Sequence, residues 1–255
     1  MKRILLVNKS FEIGGIQSSM INMANELSNH YQVDLFLYNP CGILKDRLCE
    51  KVNVLDPSWR FKALGAPLSQ LFRERSVKCI AFKIFAALWC KMFDNSLPIN
   101  LAIKHQPKLK GYDLAIAYHQ EQRKHALVSG FARALDHCVE ARKKASWMHF
   151  DSDTIDLDSS FNNPFYEKMD KVVFVSKSLR DIFVRKYSHF DQKADYCYNF
   201  MLYDAIKQKS EVTQAVPYPA NAFVCFSACR LSSEKGIVRA IESLKNVFES
   251  NPELL

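Results

Sequence analysis

The chain has 255 residues, 48% hydrophobic and 24% charged, enough apolar content for one large or two modest domains and enough to exclude wholesale disorder. Its formal net charge is +8, and its eight cysteines form no C-x-x-C pair, which argues against a zinc ribbon or a thioredoxin-type site. Only seven glycines occur, in neither a G-x-G-x-x-G nor a G-x-x-x-x-G-K-S/T pattern, so a dinucleotide fingerprint and a P-loop are excluded as well.

Residues 2–8 are rich in Ile, Leu and Val and predict a first strand buried on both faces. The apolar run is short and lacks a small-residue cleavage site, so it reads as a strand and not as a signal peptide. Cytoplasmic residence with reduced cysteines is the corresponding expectation. A loop then closes in Gly14 and Gly15, and Ile16, Met20, Met23, Ala24 and Leu27 form one helical stripe. A second strand follows at 33–38 and ends at Asn39 and Pro40. This βαβ opening predicts an α/β fold with a doubly wound parallel sheet. The glycine pair is either a plain turn or a place where a ligand approaches the main chain closely.

From Arg60 to Lys110 there are ten cations and two acids, Glu74 and Asp94; ten minus two accounts for the whole net charge. Such a localised basic region argues for an anionic partner surface. Within it, residues 79–93 are apolar except for Lys83 and Lys91, which with Ala87 fall on one narrow helical stripe. The run is too short and too charged to span a bilayer, which takes about 20 residues. Two readings stay open: a helix packed into the domain with its lysines outward, or one that dips into a membrane interface aided by the cations around it. No helix-turn-helix, zinc or single-strand-binding pattern accompanies the charge, so nucleic acid is not an expected partner.

Further strands are expected at 113–118, 145–150, 172–176 and 196–199, with helices at 122–128, 165–170 and 177–187. Ser176 is placed to cap the last of these. His149 falls at the carboxyl end of its strand, where cleft residues of an open parallel sheet belong. Asp151 and Asp153 spell D-x-D, too short a pattern to imply a metal, and no metal or cofactor is expected. Residues 216–220, with Pro217 and Pro219, are a stiff linker. Beyond it lie one apolar strand, 222–228, and one helix, 234–248. Arg230 leaves that strand and Lys235 sits in the helix's first turn, an arrangement that suits an anionic ligand or a plain solvated corner.

The string Arg230, Leu231, Ser232, Ser233, Glu234, Lys235, Gly236, with Ile241 and Glu242 after it, resembles the start of the second domain in family 4 (group 1) glycosyltransferases. Ile13, Gly14, Gly15 and Ile16 are similar to that family's glycine loop, and residues 144–151 and 170–183 to two of its strand–helix units. Tyr198, Asn199 and Phe200 resemble its turn before the interdomain hinge. The resemblance implies a GT-B-type architecture: a Rossmann-like acceptor-side domain at 1–216, a linker at 217–221, and at 222–255 only the opening of a nucleotide-sugar-binding domain. It implies retaining transfer from a nucleoside diphosphate sugar to a glycan or lipid-linked acceptor. Arg230 and Lys235, with Gly14 and Gly15, would hold the donor diphosphate, and His149 would orient the sugar. Glu242 and Glu249, seven apart on one helix, are one short of that family's E-x7-E spacing and are not that motif. The chain alone is therefore expected to be impaired, or else to be a non-catalytic acceptor- or membrane-binding module that needs a second polypeptide. The basic 60–110 segment would attach it peripherally to the inner face of the cell membrane.

Overall fold

The computed structural model describes residues 1–150, 159–211, 224–229 and 231–251. The chain divides into two units, Met1–Tyr203 and Asp204–Leu255. The first is built on seven parallel strands: β1 (Arg3–Ser10), β2 (Gln32–Asn39), β3 (Asn53–Leu55), β4 (Leu109–Ala117), β5 (Val139–Met148), β6 (Lys171–Phe174) and β7 (Ala194–Tyr196). Their order across the sheet is β3-β2-β1-β4-β5-β6-β7, which reverses direction between β1 and β4. That order makes the sheet Rossmann-like, and its switch point lies at the carboxyl ends of those two strands.

The central strands are apolar at successive positions because both faces are covered. Ile4 and Leu6 of β1 pack toward α1 (Gly15–Leu27), against Met20, Ile21 and Ala24. Leu5 and Val7 pack on the other side. That side is covered by α2 (Trp59–Gly65), α3 (Leu68–Arg73), α4 (Val77–Met92), α5 (Ser96–Lys104) and α6 (Phe131–Cys138). A third cluster, with Val172 and Phe174 at its centre, seats α7 (Ser159–Glu167) and α8 (Lys177–Lys186) at the β6–β7 end. At the opposite, amino end of the strands Asp34 is buried. It accepts from Arg3 Nη2 (2.9 Å), the Tyr112 hydroxyl (2.7 Å) and Asn53 Nδ2 (3.2 Å), which ties β2 to β1, β4 and β3.

The expected helix at 122–128 is a loop, and the reason is a carboxylate. Glu121 is fully buried and lies against the amino end of α6. It accepts from Ser129 Oγ (2.7 Å), from the N–H of Gly130, and from the N–H of Ala132 (2.8 Å). The segment 122–130 is thereby spent on bringing Glu121 to a helix start. Gly130 is needed there: its φ is 82°, and a Cβ would sit 2.6 Å from Ile99 Cγ2. Arg133, 2% exposed, stands 4.0 Å from Glu121, donates to Asn95 Oδ1 and lies over the Phe165 ring.

The lysine stripe of residues 79–93 is also not arranged as expected. Lys83 faces inward, donating to the carbonyl oxygens of Ala63 (3.2 Å) and Leu64 (3.1 Å) at the end of α2, and burial pushes its ammonium down to about 8. It satisfies helix-end carbonyls that have no partner within their own helix. The outward face of α4 carries Ile84, Phe85, Leu88 and Met92 instead.

In the second unit, α9 (Tyr203–Ser210) starts at the boundary and α10 (Ile237–Ser250) has no buried residue. Of the buried strand expected at 222–228, the described residues 224–228 are exposed and belong to no strand. Lys235 sits in a single 3-10 turn, Ser233–Lys235, and α10 begins only after Gly236, whose φ is 66°. Arg230, the 216–220 linker and the D-x-D at 151–153 lie outside the described residues.

Replacing Glu121 by Ala should lower unfolding free energy by about 3–5 kcal/mol in urea titrations, because Arg133 would be left buried without its counter-charge. Adding Arg133→Leu should restore part of that loss; a double variant as unstable as the sum of the singles would show that the pair is not coupled.

Candidate functional site

The carboxyl ends of β1, β4 and β5 lie side by side in the sheet and carry most of the expected site residues. Gly14 precedes α1 with φ 179°, an extended conformation open to any residue. A Cβ built on Gly14 would meet only the flexible end of Gln17, and one on Gly15 would meet nothing within 4 Å. Neither glycine is required by the fold. Among the described residues no side chain caps α1, and no acid stands in its first turn, so its amino end presents N–H groups without a partner there and a partial positive charge.

His149 follows β5 directly. Its N–H donates to Gln120 Oε1 (2.7 Å), as does that of Phe150 (2.9 Å), and its Nε2 lies 3.2 Å from the Tyr118 carbonyl oxygen. A carbonyl only accepts, so the neutral ring carries its hydrogen on Nε2 and leaves Nδ1 as an acceptor. Burial, with a smaller push from His119 beside it, drives the imidazole down to about 3, against a weaker opposing effect of the Tyr118 carbonyl. His149 is therefore an uncharged group at any neutral pH, suited to fixing a hydroxyl and unsuited to supplying a cation. His119 is lowered too, first by burial, and its ring stacks on Phe131.

Tyr118 joins the two halves of this edge. Its hydroxyl lies 2.8 Å from Ser19 Oγ on α1, and Ser19 Oγ in turn donates to Asn199 Oδ1 (3.0 Å). The turn after β7 is thus fastened onto α1, and α1 onto the strand end that holds His149. Ser176 caps α8 as its position implies, accepting from the Leu179 N–H at 3.3 Å.

Several residues at this edge carry no sequence signal of the kind used above. Lys9 and Glu12, paired at 2.7 Å, flank the approach to the glycines, and the Lys9 ammonium bears on His119. Gln120 holds the His149 backbone while its own Nε2, fully buried, has no hydrogen-bond partner among the described residues. A polar quartet, His119 to Gln122, directly after a buried strand is the one clue that could have marked them. Lys235 belongs to the second unit and is exposed. A separate groove of about 920 Å³ runs along the α1 side of the sheet, among Met23, Leu27, Tyr31, Leu114, Trp147 and Phe200; neither glycine nor His149 lines it.

No protein-family model and no curated protein matches the chain. Two solved structures do share its architecture: Alr3699/HepE of Anabaena in complex with UDP-glucose, TM-score 0.53, and the same protein in complex with UDP and glucose, TM-score 0.50. Each is 19% identical to this chain and covers 96% of it. This chain spans 57% and 58% of theirs, respectively. The likeness shows the fold, a Rossmann-like parallel sheet consistent with a GT-B-type N-terminal domain.

A buried neutral histidine binds protons more readily once unfolded. Between pH 6.5 and about 3 the unfolded chain therefore takes up the His149 proton while the folded chain does not, and stability falls as pH falls, by about 1.4 kcal/mol per unit. Chemical denaturation at pH 7 and pH 5 should show this slope. His149→Gln should flatten it, leaving the part due to His119; an unchanged slope would mean that His149 is not buried uncharged.

Proposed function

We propose that this chain is the acceptor-side part of a glycosyltransferase that uses a nucleoside diphosphate sugar. The observation that carries the reading is the pair Gly14–Gly15. The chain is sparing with glycine, and neither residue relieves a backbone clash or a left-handed φ; a Cβ on Gly14 would only push the end of Gln17 aside. Gly15 adds nothing to the helix it begins, since glycine is a poor helix former. A ligand that must approach a bare helix start accounts for both, and a diphosphate suits unsatisfied N–H groups. Support comes from the shared fold with a protein solved with UDP-glucose, and from the resemblance of residues 230–236 to a diphosphate-binding corner.

In this reading His149 accepts a hydrogen bond from a sugar hydroxyl at Nδ1 and orients the ring. Gly14 and Gly15 admit the diphosphate, and Arg230 and Lys235 stabilise the charge that gathers on it as the glycosidic bond breaks. The proposed transfer proceeds with retention, to an acceptor, a glycan or a lipid-linked sugar, bound by the first unit. In the second unit α10 exposes Val238, Ile241 and Leu244 and buries nothing, so its apolar face calls for further protein to complete the donor wall. This observation favours a second form of the same reading, in which donor binding is completed by another polypeptide and this chain alone transfers nothing.

Calorimetric titration with UDP and UDP-glucose tests the proposal. Binding should be weak but measurable, Gly15→Ala should abolish it, and the same variant should melt at or slightly above the wild-type temperature. His149→Ala should weaken UDP-glucose and leave UDP unaffected. Equal binding by wild type and Gly15→Ala would overturn the role given to the glycine pair.

A further inference from the structure

The part of α4 turned away from the domain is apolar, and cations border it. At 100° per residue, Val77, Ala81, Ile84, Phe85, Leu88 and Met92 fall within an arc of about 100°. All six are exposed, Leu88 at 59% and Met92 at 70%. Lys91 borders the arc on one side and Lys78 on the other, while the opposite arc holds buried Cys79, Phe82, Ala86 and Cys90. Phe72, at the end of α3, and Phe93, just past α4, extend the exposed apolar surface, and Arg73 and Arg75 add charge where α3 ends. Between Glu74 and Asp94 there is no acid, and Glu74 is engaged by Lys62 at 2.7 Å.

We infer that this face of α4 docks the protein on a bilayer surface that carries anionic headgroups. The occupant follows from charge complementarity. Apolar side chains flanked by lysine and arginine, with no acid between Glu74 and Asp94, match acyl chains beneath phosphate, with the long cationic side chains reaching the headgroup level. Among the described residues no helix is long and apolar enough to cross a membrane, so α4 lies in the plane of the interface. This inference does not depend on the nucleotide reading.

Sedimentation with vesicles at low ionic strength tests it. The wild type should sediment with equimolar phosphatidylcholine and phosphatidylglycerol and much less with phosphatidylcholine alone. Lys78→Ala and Lys91→Ala should each weaken binding about fivefold. Phe85→Ser with Leu88→Ser should reduce it at least as far with at most a small drop in melting temperature, since Leu88 is 59% exposed and Phe85, against the Phe82 and Trp89 rings, 39%. In the wild type, lipid brominated in its acyl chains should quench the emission of Trp89. Failure to sediment with anionic vesicles would overturn the inference, as would binding indifferent to the Phe85 and Leu88 changes. So would a wild-type dimer that those changes dissociate without affecting vesicle binding, since a second copy would then be the occupant.

Discussion

An ionised carboxylate taken fully out of water costs several kcal/mol unless charge and hydrogen bonds replace what is lost. Glu121 meets that condition by spending both oxygens on one place, the start of α6, with Arg133 behind it. The consequence reaches beyond the helix. Fixing Glu121 fixes Gln120 next to it, Gln120 holds the main chain of His149, and His149 rests on the carbonyl of Tyr118. The orientation of the imidazole is therefore set by a charge cluster that never touches it.

Two helix starts in the first unit make an instructive contrast. That of α6 is filled by the protein's own carboxylate, and Gly130 is there because the backbone turns left-handed. That of α1 is capped by no side chain among the described residues, and a side chain would meet only the flexible end of Gln17 at Gly14 and empty space at Gly15. The same residue type serves the fold in one case. In the other it leaves room at the switch point of the sheet, where ligands of open α/β proteins bind.

The parallel sheet was legible because β1 and β2 are apolar on both faces, a pattern that parallel packing demands. His149 was legible because a polar residue ending an apolar run must emerge at the strand's carboxyl end. What was not legible depended on contacts across the chain. The loop at 122–130 takes its shape from Glu121 reaching α6, a partner ten residues away with no local signature. The orientation of α4 escaped for a related reason. Charge on a helical stripe ordinarily means solvent, but Lys83 found the two carbonyls that end α2. Those carbonyls outweighed the pattern, and the apolar face went outward.

The open amino end of α1 is the proposed place of a nucleotide sugar's diphosphate. Amide chemical shifts during titration of the chain with UDP-glucose address that directly. The account predicts that the N–H resonances of Gly15, Ile16 and Gln17 move together, with the ring of His149 responding to the sugar and not to UDP alone. Shifts that spare α1 and gather elsewhere in the chain would contradict it.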